Sequence, residues 1–114
     1  MRRTIGYLVI ALLAGCLAPS TVASAQAPST IAIQDNQFNP AQVTTSSGAT
    51  LIWSNAGGDQ HTVTADDGSF DSGPLNPGDA FTLPAPAPGT YPYYCQIHGG
   101  PGGQGMAGTL VVGG

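Results

Sequence analysis

Positive charge is almost absent from this 114-residue chain: Arg2 and Arg3 are its only basic residues. All six acidic residues are Asp, at positions 35, 59, 66, 67, 71 and 79. Nucleic acid is thereby excluded as a partner, because phosphate binding needs cationic side chains. An anionic membrane surface would repel such a chain for the same reason. Cysteine is equally scarce. Cys16 and Cys95 are the only two, too few for the disulfide framework of a small stapled fold. Long helices have little room, because 17 glycines and 10 prolines break the chain at short intervals. The length suits one small domain.

What is present begins with an export signal. Arg2 and Arg3 precede a nearly continuous apolar stretch over 5–13, too short to span a bilayer. Two processing readings stand side by side. Ala23-Ser24-Ala25 fits the small-x-small site of a signal peptidase, which makes 1–25 a signal peptide. Leu13-Ala14-Gly15-Cys16 resembles a lipoprotein box, with 1–15 removed, Cys16 lipidated and 17–29 left as a tether. Either way the protein is expected outside the cytoplasm, periplasmic or extracellular, soluble in the first reading and attached to the membrane only through the Cys16 lipid in the second. Cys95 is then a lone thiol in an oxidising compartment, a liability unless a metal occupies it.

The domain is expected over 30–114. Residues 30–34, 42–45, 49–54, 61–65, 79–83, 90–95 and 107–112 read as short strands, with turn residues between them. Leu51 and Trp53 share one face of the third strand, and Trp53 is expected in the core. Tyr91, Tyr93 and Cys95 share a face of another, whose Pro92 predicts an interruption or an edge. Residues 99–105 read as a glycine loop. Seven to eight such strands predict an all-β, antiparallel two-sheet sandwich.

The chemistry rests on four residues. His61 and His98 are the only histidines; His98 follows Cys95 by three residues, and Met106 follows His98 by eight. A lone His is ordinarily a solvated surface group, a lone Met core filler and a lone Cys a small apolar side chain. Together they supply two imidazoles, a thiolate and a thioether. Imidazole suits Cu(II), while thiolate and thioether suit Cu(I), and a His2Cys set with a weak axial Met is a blue-copper pattern. Zinc also accepts Cys and His, but a thioether is a poor partner for it.

The order of these residues and their neighbours resembles the cupredoxins, in particular the plastocyanin, amicyanin and pseudoazurin branch. The likeness runs over about residues 30–112. It is carried by Leu51-Ile52-Trp53-Ser54-Asn55, by Asp59-Gln60-His61-Thr62-Val63, by Tyr91-Pro92-Tyr93-Tyr94-Cys95-Gln96-Ile97-His98 and by Met106-Ala107-Gly108. The resemblance implies a Greek-key β-sandwich with one copper ion near one end, held by His61, Cys95, His98 and Met106, and an exposed edge of His98 as the electron exit. Two features depart from the pattern. The spacer 99–105 is long, which puts the distance from Met106 to the metal in question. Thr62 stands where many relatives have Asn, a position that ties the two ligand loops together; the Thr hydroxyl is expected to replace the amide in part.

One-electron carriage between redox partners outside the cytoplasm is the leading expectation, with a monomer docking through its acidic residues onto a basic partner. The alternative is a copper storage or delivery module. Catalysis is not expected, because a site filled by protein ligands leaves no open position for substrate. Two histidines are too few for a multicopper enzyme, no nucleophile elbow marks a hydrolase, and the glycine loop lacks the Lys of a phosphate loop.

Overall fold

Alternating burial along short strands builds two facing sheets. The computed structural model describes residues 27–114. Both export motifs and Cys16 lie outside them. Eight strands follow in order: β1 (Ser29–Gln34), β2 (Gln37–Asn39), β3 (Gln42–Ser46), β4 (Thr50–Asn55), β5 (Thr64–Ala65), β6 (Ala80–Pro84), β7 (Gly89–Gly100) and β8 (Gln104–Gly113). One sheet has the order β2-β1-β4-β6 and the other β3-β8-β7-β5. The sandwich is as expected. Its pairing is mixed rather than wholly antiparallel, since β1 runs parallel to β4 and β3 parallel to β8.

The period-two alternation expected of half-buried strands holds closely. Ile31 and Ile33 of β1, Leu51 and Trp53 of β4, and Tyr93 and Cys95 of β7 are wholly buried, while their sequence neighbours are not. Trp53 sits at the centre of the core. Its ring meets Tyr93 edge-on at 5.5 Å, and Phe38 also meets Tyr93 edge-on, at 4.8 Å. Edge-to-face pairs of this kind contribute about 0.5–1.5 kcal/mol each beyond area burial. They also fix the strand that carries Cys95.

Two expected elements, 61–65 and 99–105, differ in detail, and the edge expected at Pro92 is found. The stretch 61–65 is not one strand, and only Thr64 and Ala65 pair with β7. The preceding backbone turns to the 70–75 segment instead: His61 N–H donates to Leu75 O, Leu75 N–H to His61 O, and Val63 N–H to Ser72 Oγ. Pro92 lies inside β7, opposite Thr109 of β8. It is tolerated because β5 stops at Ala65, so β7 is an edge there, and Asp66 N–H uses only the Pro92 carbonyl. The glycine stretch 99–105 is mostly strand, with Gly99 facing Gly105, Gly100 facing Gln104, and only 101–103 as the turn.

That hairpin requires glycine. A side chain on Gly99 would come within 2.5 Å of Gln104 O and 2.6 Å of Met106 N. One on Gly105, at φ +63°, would come within 2.5 Å of His98 O. The two strands therefore cross closer than any side chain permits. At the tip, Gly102 N–H donates to the Asp66 carboxylate at 2.9 Å, which pins the hairpin against the body of the sandwich. The additional residues are absorbed into this ladder, and Met106 begins the buried run of β8 at 2% exposure.

Candidate metal centre

Two strand segments bring the donor atoms together. β7 carries Cys95 inward, and its register with β8 breaks between Tyr94 and Gly99. The break lets the chain curl so that His98 returns to the same point as Cys95. His61 arrives from the irregular segment beside β5, held by its backbone pair with Leu75. His61 and Cys95 are fully buried and His98 is half-buried.

The three donors form a triangle. Cys95 Sγ lies 3.8 Å from His61 Nδ1 and 3.7 Å from His98 Nδ1, and the two nitrogens are 3.2 Å apart. A trigonal centre with metal–nitrogen bonds of about 2.05 Å and metal–thiolate bonds of about 2.3 Å needs edges of about 3.5 and 3.8 Å. The observed triangle fits that requirement closely.

The supporting contacts are specific. Thr62 N–H donates to Cys95 Sγ at 3.4 Å, which fixes the position of the sulfur. The Thr62 hydroxyl accepts Gln96 N–H at 2.8 Å, so it ties the His61 loop to the Cys95 loop as expected. Thr62 Oγ1 meets Thr64 Oγ1 at 3.0 Å, and Thr64 donates onward to Asp71. On the far side of His61, Nε2 donates to Asp35 Oδ1 at 3.0 Å. A carboxylate at that distance can only accept, so in the neutral ring Nε2 holds the hydrogen and Nδ1 turns its lone pair to the triangle. The His61 hydrogen bond, with those from Gly58 and Asp59 N–H, holds the Asp35 carboxyl below the usual range. Asp35 was not among the residues singled out from sequence.

Met106 lies in the same buried cluster as Cys95 and Tyr93. Close to the triangle, Ile97 is the one large apolar side chain left exposed among the described residues, at 51%.

A two-sheet β-sandwich with a His-Cys-His cluster at the break in one strand defines a mononuclear copper protein of the cupredoxin type. The cupredoxin-like domain family matches residues 6–112, and the chain belongs to that family. Plastocyanin of Scenedesmus fuscus is 34% identical over 86 residues, which cover 66% of this chain and 85% of that protein. The chloroplastic plastocyanin of Oryza sativa subsp. indica is 35% identical over 86 residues, 66% of this chain and 54% of that one. Among solved structures, a purple cupredoxin from Nitrosopumilus maritimus superposes with a TM-score of 0.65 at 27% identity, over 75% of this chain and 99% of that one. As a family member with this donor cluster, the protein takes a single copper ion.

Proposed function

We propose that the protein is a one-electron carrier that works outside the cytoplasm, with His61, Cys95, His98 and Met106 as its copper ligands. The observation that carries this reading is the convergence of one cysteine sulfur and two imidazole nitrogens on one point, with His61 and Cys95 fully buried. Copper supplies the electron chemistry by alternating between Cu(II) and Cu(I). The protein's part is to hold the donors still. The aromatic packing around Tyr93 and the Thr62 tie fix Cys95, the strand break aims His98, and the Leu75 pair holds His61. Donors fixed in this way move little when the charge at the centre changes, which suits fast electron exchange. With Met106 as a fourth ligand no open position would be left for substrate, which argues against catalysis. It also argues against storage or delivery, which favours exchangeable sites.

His98 is the exit in this reading, because it is the half-buried member of the set and lies next to exposed Ile97. The partner is a redox protein with a basic surface, drawn by the Asp residues, five of which lie between positions 59 and 79. Asp67, Asp71 and Asp79 each accept a backbone N–H in their own turns, so they serve the fold while standing exposed at the surface. Steering of this kind acts on association rate and is screened within about 8–10 Å at physiological salt. The test is a stopped-flow salt series on the copper-loaded protein with a basic cytochrome. Rates should fall steeply as salt rises. A flat series would remove the acidic docking face, and failure to cycle reversibly by one electron would remove the carrier role.

A further inference from the structure

Asp35 stands at the turn between β1 and β2, 26 residues from the histidine it touches. Its carboxylate is enclosed from one side by the 57–59 loop. Gly58 N–H donates to both oxygens at 3.1 and 3.0 Å, and Asp59 N–H donates to Oδ1 at 3.1 Å. Gly57 completes the cradle: a side chain there would collide with Oδ1. The remaining contact of the carboxylate is the 3.0 Å bond from His61 Nε2. The imidazole is fully buried while the Asp35 side chain stays 43% exposed. A surface charge thus reaches a buried metal-site ring through a single hydrogen bond.

We propose that Asp35 is a positioning residue for the copper centre: its carboxylate locks the ring of His61 and strengthens its Nδ1 as a donor, biasing the bound metal toward Cu(II). The inference rests on the copper reading above. Orientation follows from the geometry. With Nε2–H fixed on Asp35, rotation of the ring is blocked and Nδ1 stays aimed at Cys95 and His98. Donor strength follows from charge. A full negative charge on the far nitrogen's hydrogen raises the electron density of the near one, which stabilises the more highly charged Cu(II) over Cu(I). Removal of such outer partners costs about 10–100-fold in metal affinity. The solvent exposure of Asp35 puts the expected effect at the lower end, about tenfold. A tenfold loss for Cu(II) with Cu(I) unchanged raises the reduction potential by about 59 mV.

The experiment compares the wild type with Asp35→Asn and Asp35→Ala. Asn keeps a carbonyl oxygen for the Gly58 and Asp59 N–H groups but loses the charge. In the metal-free protein, long-range proton–nitrogen NMR reads the His61 ring. The wild type should be the Nε2–H form, and Asp35→Ala should show a mixture of tautomers. In the copper-loaded protein, Asp35→Asn should raise the potential by about 59 mV. If the variants lower only the melting temperature and leave both tautomer and potential unchanged, Asp35 merely anchors the 57–59 loop and the proposal is wrong. If copper binds and the potential does not move, the donor-strength claim fails while the carrier reading stands. If no copper binds at all, the carrier reading fails, and the tautomer comparison still decides whether Asp35 positions the ring.

Discussion

Replacing Thr62 with Val isolates the bond that ties the two ligand loops. Thr62 is 3% exposed, and its hydroxyl accepts Gln96 N–H at 2.8 Å. Because Thr64 donates its own hydrogen to Asp71, Thr62 donates to Thr64 in turn. Valine keeps the branched shape and the packing but removes the oxygen. Thr64 retains its bond to Asp71, so the main loss is the partner of Gln96 N–H in a partly buried position. Leaving such a donor unpaired costs about 1–3 kcal/mol. A central value of about 2 kcal/mol lowers the melting temperature of a domain this size by roughly 8–16 °C. Thermal unfolding of the metal-free protein, followed by circular dichroism, reads the change. Thr62→Ser, which keeps the oxygen and loses a methyl group, should stay closer to the wild type. The copper-loaded Val variant should also yield its metal to a chelator faster, since the segment after Cys95 is no longer held. If Val matches the wild type and Ser is the weaker variant, shape rather than the hydroxyl holds the loops, and this reasoning is refuted.

Gly99→Ala should destabilise the hairpin by about 1–3 kcal/mol in urea unfolding, because every atom it strikes is backbone. Gly100→Ala is the control and should be near neutral, since its nearest neighbour would be 3.8 Å away. Burial pushes the Tyr93 phenol up to about 12 from its ordinary 10, partly opposed by the Trp53 indole N–H. The unfolded chain therefore loses that proton first, and stability should fall as pH rises from about 10 to 12, by about 3 kcal/mol in all. Tyr93→Phe should flatten this part of a denaturant-midpoint profile. Met106→Leu should keep copper bound and raise the potential measured by redox titration, because an axial donor favours Cu(II). An unchanged potential would make Met106 ordinary core.

The sandwich and the donor triangle were legible in the sequence for different reasons. Ile31, Ile33, Leu51 and Trp53 alternate with less buried residues, and period-two alternation reports a strand directly. His61, Cys95 and His98 stand out because almost no other side chain in the chain can bind a soft metal. Alternation does not report which strand is the neighbour or its direction, so the parallel pairings of β1 with β4 and β3 with β8 left no trace. The stretch 61–65 alternates like a strand, yet its backbone bonds to the 70–75 segment, a tertiary choice no local pattern encodes. Gly99 and Gly105 read as loop residues because glycine disfavours strands, whereas here their missing side chains let two strands cross. Asp35 was invisible for the plainest reason: an exposed Asp before Asn in a turn is ordinary turn chemistry, and only the folded chain sets it against His61.

The central claim is that Cys95, with His61 and His98, holds a copper ion as a thiolate. Its most direct test is the visible absorption spectrum of the purified protein loaded with one equivalent of Cu(II), beside the Cys95→Ser variant. The account predicts an intense charge-transfer band in the wild type that vanishes on reduction, and no such band in a folded serine variant. A colourless wild type that binds copper, or a serine variant that keeps the band, would contradict it.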